Sequence, residues 1–570
     1  MKRDIILIGM NARYSHTNPA VRYLKTYAKR EEVKIREYTI NNDMEKVFSD
    51  LLSLDALCYA FSVYIWNVEY VYPLASRLKE ATGATILMGG PEPSNDVDRA
   101  LMHSDCVIRG EGEEAFRCFC EVMLDGRDIR TCPSVSYLEN GKRVDNDPTL
   151  FVDLDSLSQP YYDLDSLKGR LVYYESSRGC PFSCAYCLSS SDKTLRYSSV
   201  EKVKRDLRTF MDAHVLKVKF VDRTFNMDRK RAAEILEFIN TQDTDTEFHF
   251  EIAADLIDQR FIDAVNASRK GQMFLEIGVQ STYVPTLKAV HRVQDFGYTK
   301  DVVRKLLLGR KANVHLDLIA GLPLETYERF RKSFDDTMAA YAPVVQLGFL
   351  KVLKGSPMEH MTEEYGIRHA DIAPYEVLST NAISEKELDD LRDKEYLLER
   401  IYNSRLYYFF VHAAAKAKDS YYRVFEDIAM LIREKGLDRE HMSEQELAEL
   451  LYGYVLELRE PAVRDGFLLD WYMRPKRAYL SRSIEKSEEW KKDFYTHLTE
   501  SLSGRIPKGK RPWHYSRVEH FMTDIPKLLK DLSWEERECL MYFDYTEADT
   551  KVYELEKSAE GYIIKEEVEL

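Results

Sequence analysis

The chain has 570 residues, of which 45% are hydrophobic and 31% are charged, and its formal net charge is −15. This length and composition are typical of a globular protein of about three to four domains, and the acidic balance argues against a large nucleic-acid-binding surface. The sequence has no run of roughly 18 uncharged apolar residues and no cleavable leader in its opening MKRDIILIGMNARY, so we expect a cytoplasmic protein without membrane attachment.

Hydrophobic runs alternate with helical periodicities over residues 1–132. The runs are DIILIGM, VKIREYTI, ALCYAFS, TILMGGP and DCVIRGEGE. Short apolar strands separated by helices of about 10 to 15 residues indicate a parallel sheet that is covered on both faces. We therefore predict an α/β domain of the Rossmann-like (flavodoxin-like) type, which binds its ligand at the carboxyl ends of the strands.

Those strand ends carry residues that suit a bulky ligand. Gly89 and Gly90 allow close approach of a backbone, and Gly110 and Glu111 precede a helix N-terminus with free N–H groups. No G-x-G-x-x-G follows the first strand and no G-x-x-x-x-G-K-[ST] occurs, which argues against dinucleotide and triphosphate sites. The glycines could equally serve only the turns from strand to helix, and the residues alone leave both roles open.

Residues 133–167 break the alternating pattern. The segment PSVSYLENGKRVDN predicts a hairpin with its turn at Asn140 and Gly141. The next stretch, DPTLFVDLDSLSQPYYDLDSL, is rich in Pro, Asp and Ser and predicts a linker.

Three cysteines, Cys180, Cys184 and Cys187, follow the predicted strand LVYYESS within one short segment. A structural zinc site needs a fourth ligand at compact spacing, and ferredoxin clusters are ligated entirely by cysteine. No such fourth ligand follows, so the spacing indicates a soft-metal site with an open position. The other six cysteines are predicted to be buried small hydrophobic residues: Cys58, Cys106, Cys118, Cys120, Cys132 and Cys539.

Strand–helix repeats continue from the cysteines to residue 371. The later strands are LKVKFVD, TEFHFEIAA, MFLEIGVQS, NVHLDLIAGLP and VVQLGFLKVLKGS, which with the first make six βα units. Functional residues of such barrels lie at the carboxyl ends of the strands. Those ends carry carboxylates and an amide, each of which could also cap a helix or pair with a lysine: Asp222, Glu251, Glu276, Gln280 and Asp317.

Residues 372–570 are predicted to form a mainly helical domain with short terminal strands. Apolar residues recur at three- and four-residue spacing in SEKELDDLRDKEYLLERIYNSRLYYFF and SEQELAELLYGYVLELR. The aromatic segments RLYYFF, DWYMRP and RPWHYSRVEHF are predicted to be core, with a substrate site as the alternative. A terminal strand pair is predicted around Glu560 and Gly561.

The spacing C-x-x-x-C-x-x-C, with Tyr186 before the last cysteine, resembles the radical S-adenosylmethionine (SAM) superfamily. The resemblance implies a partial (β/α)6 barrel over residues 168–371, with three thiolates on a [4Fe–4S] cluster whose unique iron is completed by SAM. It implies the following SAM-binding residues: Tyr186, Asp222, Glu251, Glu276, Gln280 and Leu353.

The segment IRGEGE, following GGPEPS, resembles the cobalamin-binding domain that precedes many radical SAM enzymes. The histidine motif D-x-H-x-x-G is missing after the first strand, which implies cobalamin without a histidine ligand from that motif. The resemblance implies the following cobalamin-binding residues: Asn11, Ser15, Ser62, Gly89, Gly90, Pro91, Glu92, Gly110 and Glu111.

Together these resemblances imply a cobalamin-dependent radical SAM enzyme that cleaves SAM to a 5′-deoxyadenosyl radical. They favour a class B-like methyltransferase that methylates an unactivated carbon or phosphorus from methylcobalamin, with a radical rearrangement, ring contraction or reduction as the alternative. A methylthiotransferase is less favoured because the first domain lacks a cysteine triplet for a second cluster, and a non-catalytic cobalamin or iron–sulfur sensor is a further alternative. The implied partners are a small-molecule or peptide substrate and an electron donor such as flavodoxin or ferredoxin. The sequence assigns no residue to the chemical step itself.

Overall fold

The computed structural model describes residues 4–148, 151–438, 440–474, 489–496, 511, 515–547, 549–558 and 561–568. By its contacts the chain divides into two compact units. Unit one is Met1–Thr326 with Phe349–Leu388, and unit two is Tyr327–Gly348 with Asp389–Leu570. Over the described residues, none of the helices combines the length and apolar character needed to span a bilayer.

The first part of unit one alternates strands with helices. Its elements are β1 (Ile5–Asn11), α1 (Pro19–Ala28), β2 (Val33–Thr39), α2 (Met44–Ser53), β3 (Cys58–Ser62), α3 (Val68–Thr82), β4 (Thr85–Gly89), α4 (Pro91–Asn95), α5 (Val97–Leu101), β5 (Cys106–Ile108), α6 (Glu113–Asp125), β6 (Val135–Glu139) and β7 (Lys142–Asp145). The strands form one sheet in the order β2-β1-β3-β4-β5-β6-β7. Strands β1 to β5 are parallel, and β6 and β7 are antiparallel. The predicted doubly wound domain is thus confirmed.

Both faces of this sheet are buried. All seven residues of β1 are buried, with Ile6 and Ile8 in the hydrophobic cluster on one face and Ile5 and Leu7 in the cluster on the other. A strand covered on both faces has no polar alternation, which is why the segment reads as a continuous apolar run. The six cysteines outside the 180–187 segment are all buried, as predicted.

The predicted hairpin is confirmed and extends the same sheet. Asn140 and Gly141 form its turn with φ angles of 53° and 74°, and the strands on either side are β6 and β7. The sequence groups this hairpin with the linker, whereas the pairing of β6 with β5 joins it to the first sheet. Residues 149 and 150 of the predicted linker lie outside the described residues.

The second part of unit one carries the parallel strands of a barrel. Its elements are β8 (Leu171–Tyr174), β9 (Ser177–Arg178), β10 (Arg196–Tyr197), α7 (Val200–Asp212), β11 (Lys217–Phe220), α8 (Arg229–Asn240), β12 (Glu247–Ile252), α9 (Gln259–Asn266), β13 (Met273–Gln280), α10 (Val284–Ala289), α11 (Phe296–Leu308) and β14 (Asn313–Ala320). Parallel pairing runs β8-β11-β12-β13-β14. Buried residues alternate with half-buried ones along β12, β13 and β14, as expected of strands with helices on one side and a polar interior on the other.

The sixth βα unit lies at the division between the two units. Helix α12 (Tyr327–Met338) and strand β15 (Val344–Phe349) occur where the sequence predicts them, and all of them except Phe349 count with unit two. Unit one ends with the antiparallel pair β16 (Arg368–His369) and β17 (Val377–Ser379). Helix α13 (Glu385–Leu397) begins in unit one and continues into unit two.

Unit two consists of helices followed by an antiparallel sheet. After a π-helical turn at Leu398–Asn403 its elements are α14 (Tyr408–Lys418), α15 (Tyr421–Glu434), α16 (Glu444–Leu458), α17 (Pro461–Tyr472), α18 (Glu489–Thr496), β18 (Ser516–Thr523), α19 (Ile525–Asp531), β19 (Glu536–Asp544), β20 (Lys551–Ser558) and β21 (Gly561–Val568). Helix α14 packs against α15 and α17. The four strands form one antiparallel sheet in chain order.

The predicted aromatic segments of this unit are core where they are described. Tyr407, Phe410, Trp471 and Tyr472 are all buried. The terminal sheet has four strands and is therefore larger than the predicted strand pair. One of the additional strands is β18, formed by the segment SRVEHFMT. Its apolar and polar residues do not alternate cleanly, so the sequence did not predict it as a strand. Pro475 and residues 512–514 of these segments, and the predicted turn residue Glu560, lie outside the described residues.

Candidate functional site

The three cysteines lie in a loop between the short strands β9 and β10. Cys180 and Cys184 are buried and Cys187 is half-buried. The backbone N–H of Cys180 donates to the carbonyl of Asp192 at 2.9 Å, and that of Cys187 donates to the carbonyl of Cys184 at 3.1 Å. Backbone hydrogen bonds therefore hold all three thiols on one compact loop.

Asp222 anchors the start of this loop. Its side chain is fully buried and accepts hydrogen bonds from the backbone N–H of Ser176 at 2.7 Å, its hydroxyl at 2.6 Å and the hydroxyl of Ser177 at 2.8 Å. Arg231 donates to the carbonyl and hydroxyl oxygens of Ser176, each at 3.0 Å. Burial raises the pKa of Asp222, although these hydrogen bonds and Arg231 favour the carboxylate. These partners indicate that Asp222 positions the chain that leads into the cysteines.

We expect Asp222→Asn to loosen the cysteine loop. An amide cannot accept all three hydrogen bonds, and it leaves Arg231 buried without its counter-charge, at a local cost of about 2–4 kcal/mol. The half-life of the protein-bound iron in the presence of a chelator should fall several-fold compared with wild type. Asp228→Asn, at the exposed N-cap of α8, is the matched control, and an unchanged half-life in the Asp222 variant would contradict the positioning role.

Arg292 brings a positive charge to the loop from the segment that follows β13. Its Nη1 atom lies 3.8 Å from Cys184 Sγ and donates to the Tyr186 hydroxyl at 3.2 Å. Its other donors reach the carbonyl of Gly278 and the side chain of Gln294. Burial raises the pKa of Tyr186, so this phenol stays neutral beside the guanidinium. Arg292 therefore places a positive charge beside Cys184.

A cavity of about 550 Å³ opens beside the loop, and we call it the cluster-side cavity. Three of the residues predicted to bind SAM line it, together with Cys184 and Asp317: Glu251, Glu276 and Gln280. Asp222 lies behind the loop, as described above. Leu353 is half-buried, and its carbonyl accepts hydrogen bonds from the backbone N–H and hydroxyl of Ser356.

Glu276 is the centre of a charged network on the barrel strands. His249 Nε2 lies 2.7 Å from its Oε2 atom, and Lys219 Nζ lies 3.3 Å from the same oxygen. Although burial opposes it, the contacts with His249 and Lys219 hold the pKa of Glu276 at about 2. Burial lowers the pKa of His249, so the neutral imidazole donates its Nε2 proton to the carboxylate. Glu276 therefore stays ionised and forms an ion pair with Lys219 inside the barrel.

Glu251 lies on the same strand as His249. Burial, followed by repulsion from Glu276, raises the pKa of Glu251 to about 7. It therefore exchanges a proton near neutral pH, in contrast to Glu276.

The shifted pKa of Glu251 predicts a pH-dependent stability. Because the folded state holds a proton that the unfolded chain releases near pH 4.5, this residue costs the fold about 1.4 kcal/mol for each pH unit from there up to about 7. Glu251→Gln should remove this cost, so the difference in Tm between variant and wild type should increase by about a few degrees from pH 5 to pH 8 in cofactor-free protein. Calorimetry across this range checks it, and a pH-independent difference would contradict it.

A second cavity, of about 670 Å³, lies at the carboxyl ends of the first sheet, and we call it the sheet-end cavity. Its lining includes the buried apolar residues Leu7, Ala60 and Leu87 and the polar residues His16 and Tyr173. Seven residues predicted to bind cobalamin line it: Asn11, Ser62, Gly89, Gly90, Pro91, Gly110 and Glu111.

The two neighbouring glycines of this cavity play different parts. At Gly90 the φ angle is +111° and a Cβ would lie 2.4 Å from the carbonyl oxygen of Val63, so the backbone itself requires glycine. At Gly89 the nearest atoms to a Cβ are those of Ile108, at 3.7 Å and beyond. Only at Gly89, therefore, is the open space a property of the cavity.

Two residues of the predicted cobalamin set, Ser15 and Glu92, do not line the cavity, and Glu111 has ion-pair partners there. Ser15 is exposed on the loop after β1. Glu92 is 4% exposed and accepts a hydrogen bond from the Tyr375 hydroxyl at 2.9 Å. Glu111 lines the cavity but pairs with Arg178 at 3.2 Å and with Arg196. These two arginines flank the cysteines in sequence, so Glu111 ties the first domain to the cysteine loop.

The donor sets of the two cavities fit the implied cofactors. Three thiols on one loop suit a cluster, in which each cysteine binds a different iron. Over the described part of the chain, no three His, Cys, Asp or Glu side chains are placed to hold a single metal ion. The sheet-end cavity is lined by both apolar and polar residues, which matches a large amphipathic group such as a corrin with its nucleotide tail.

Arg223 and Glu251 line both cavities. The strand-end pattern predicts Glu251 but not Arg223, and it does not predict Arg178, Lys219 or Arg292. One signal was available for Lys219: polar residues at every second position in KVKF, EFHFEI and NVHLDLIA mark the strand face that points into the barrel. Arg223 and Arg292 lie in loops and Arg178 ends the two-residue strand β9, so no such periodicity is available for them.

Three family models match successive parts of the chain. The B12 binding domain matches residues 5–119, the radical SAM superfamily matches residues 174–337, and a family described as a protein of unknown function (DUF4080) matches residues 363–542. The first two matches cover the domains that contain the sheet-end cavity and the cysteine loop.

Two similar proteins are named as methyltransferases. An uncharacterized methyltransferase of Pyrococcus horikoshii is 29% identical over 52% of this chain and 67% of its own length. The cobalamin-dependent radical SAM methyltransferase TokK of Streptomyces tokunonensis is 26% identical over 64% of this chain and 58% of its own length. The match therefore spans about two thirds of the first relative and less than two thirds of the second.

A solved structure shares the fold. The cobalamin-dependent S-adenosylmethionine radical enzyme OxsB with aqua-cobalamin bound superposes with a TM-score of 0.58 at 14% identity, covering 88% of this chain and 76% of that chain. Cobalamin, SAM and a [4Fe–4S] cluster are the cofactors that the two matched domains indicate. The chain thus contains a B12 binding domain followed by a radical SAM domain.

Proposed function

We propose that the protein is a cobalamin-dependent radical SAM methyltransferase that methylates an unactivated carbon, or phosphorus, of its substrate. The observation that carries this proposal is that the cluster-side and sheet-end cavities share Arg223 and Glu251. A substrate at this junction could reach both a radical source and a methyl donor. Relatives named as methyltransferases support the choice of reaction.

In this proposal each cavity takes one part of the chemistry. When bound, the cluster with SAM supplies a carbon radical, and methylcobalamin supplies the methyl group. Cys180, Cys184 and Cys187 hold the cluster, Asp222 positions their loop, and Arg292 stabilises the charge at Cys184. Gln280 and Glu276 line the cluster-side cavity, in which we place SAM.

The remaining parts of the proposal concern partners and location. The cluster needs one-electron reduction, so we propose a soluble donor of the flavodoxin or ferredoxin type and a cytoplasmic location. The substrate is proposed to be a small molecule or a peptide, because the junction of the two cavities is enclosed by side chains of both domains of unit one.

Cofactor content tests this function. Protein expressed anaerobically with cobalamin should contain about four irons and about one cobalt per chain, with the ultraviolet–visible bands of both cofactors, and should cleave SAM when reduced. Four irons without cobalt would refute the cobalamin assignment, and absence of iron would refute the cluster.

The spectrum of reduced cobalamin tests the ligand at cobalt. The sequence lacks D-x-H-x-x-G, and His16, which lines the sheet-end cavity, has its Nδ1 atom 3.1 Å from the Tyr173 hydroxyl. We expect the cob(II)alamin electron paramagnetic resonance (EPR) spectrum to show no axial histidine nitrogen coupling. A strong coupling that disappears in His16→Ala would contradict this expectation.

A further inference from the structure

Arg223 differs from the other arginines around the two cavities. Its side chain is exposed to both cavities. Over the described residues its guanidinium has no hydrogen-bond or ion-pair partner. By contrast, Arg178 pairs with Glu113 at 2.7 Å and Glu175 at 2.8 Å, and Arg292 is buried against Cys184 and Tyr186. Arg223 is therefore a cation held in a cavity without a protein counter-charge.

The neighbouring carboxylates do not neutralise it. Asp222, the preceding residue, is turned away and accepts its hydrogen bonds from Ser176 and Ser177. Glu276 is engaged by His249 and Lys219. Glu251 is near enough to Arg223 to feel its charge, but burial favours its protonated form, which offers a hydrogen-bond donor instead of a negative charge.

Arg223 lies where a substrate would have to bind. A molecule that meets both a radical at the cluster-side cavity and a methyl donor at the sheet-end cavity must pass the residues that line both. Those residues are Arg223 and Glu251. A guanidinium offers five donors in a planar fork, which fits the paired oxygens of a carboxylate or a phosphate.

We propose that Arg223 and Glu251 form the substrate-recognition site, and that the substrate carries an anionic group, a carboxylate or a phosphate, which binds the Arg223 guanidinium beside the Glu251 carboxyl. This inference rests on the proposed function, since it takes the junction of the two cavities as the place of reaction. The proposal limits the substrate to molecules that carry a carboxylate or a phosphate, and it excludes uncharged lipids.

The test uses holoenzyme with cluster, cobalamin and SAM, and two separate probes, ¹³C-carboxyl-labelled acetate and inorganic phosphate. Electron–nuclear double resonance on cob(II)alamin, or on the reduced cluster in cobalamin-free protein, detects a probe nucleus held near the junction. Arg223→Gln is compared with Arg229→Gln. Arg229 is exposed at the start of α8, and among the described residues its guanidinium donates a hydrogen bond only to the carbonyl of Asp255, at 3.4 Å. The phosphorus signal of cobalamin itself is removed by subtracting the spectrum without added phosphate.

In wild type and in Arg229→Gln we expect a signal from bound acetate or phosphate. The intensity of this signal should be at least tenfold lower in Arg223→Gln. The probe whose coupling saturates at the lower concentration tells a carboxylic acid from a phosphate ester. Equal couplings in the two variants, or none in wild type, would overturn the proposal. A tenfold loss of SAM or cobalamin affinity in Arg223→Gln would also overturn it, because Arg223 would then serve a cofactor. Failure of the proposed function is distinct: it appears as wild-type protein that does not cleave SAM, whatever the anion result.

Discussion

Replacing Cys184 by alanine is expected to abolish SAM cleavage. Cys184 is the buried middle cysteine of the loop, and it is the one whose sulfur contacts Arg292. With only two thiolates left on the loop the cluster should not persist, so iron per chain should drop from about four towards zero and reductive cleavage should fall at least about 100-fold. Anaerobic iron and sulfide analysis, together with chromatography of 5′-deoxyadenosine, measures both quantities.

Two controls make the Cys184 result specific. Cys539→Ala removes a buried thiol from unit two and should keep the iron and the cleavage. Cobalamin binding by Cys184→Ala should remain, because Cys184 does not line the sheet-end cavity and the first sheet has its own core. If Cys184→Ala retained cleavage, the cysteine loop would not be the cluster site.

Filling the sheet-end cavity at Gly89 should remove cobalamin and leave the cluster. A Cβ at this position meets nothing closer than 3.7 Å, so Gly89→Leu is compatible with the strand while its side chain occupies the cavity. We expect cobalamin affinity to fall at least about 100-fold, which is about 2.7 kcal/mol or more. Iron content and uncoupled SAM cleavage should stay close to wild type, since Gly89 lies outside the cluster-side cavity.

Gly453→Leu is the matched control for this substitution. Gly453 lies in α16, and a Cβ there meets nothing within 4 Å, so the same side chain is added away from both cavities. Spectrophotometric cobalamin titration should give the wild-type affinity. Undiminished cobalamin binding by Gly89→Leu would show that the cofactor does not occupy the sheet-end cavity.

The order of the domains could be read from the sequence because it depends on local patterns. Apolar runs such as ILIG in β1 follow from burial on both faces of a parallel sheet. The turn at Asn140 and Gly141 was predictable because both residues tolerate positive φ. Strand β18 was not, since its burial alternates only over part of its length.

The candidate site was predictable only in part. Strand-end position selected Glu251, Glu276 and Gln280, which line the cluster-side cavity. The same rule selected Asp222, whose carboxylate points back to the cysteine loop. Glu92 was selected as a cobalamin contact, and its carboxylate is buried against Tyr375, 283 positions along the chain.

By itself, the sequence determined the cysteine spacing, the alternation of strands and helices, and the order of the domains, because these depend on neighbours along the chain. Only the tertiary structure decided which side chains converge. Asp222 and Arg223 are adjacent in sequence, yet Asp222 is fully buried and Arg223 faces both cavities, because hydrogen bonds from Ser176 and Ser177 hold the Asp222 carboxylate at the cysteine loop. Arg292 reaches Cys184 across 108 positions, a pairing that depends on how the barrel strands are arranged and not on any local pattern.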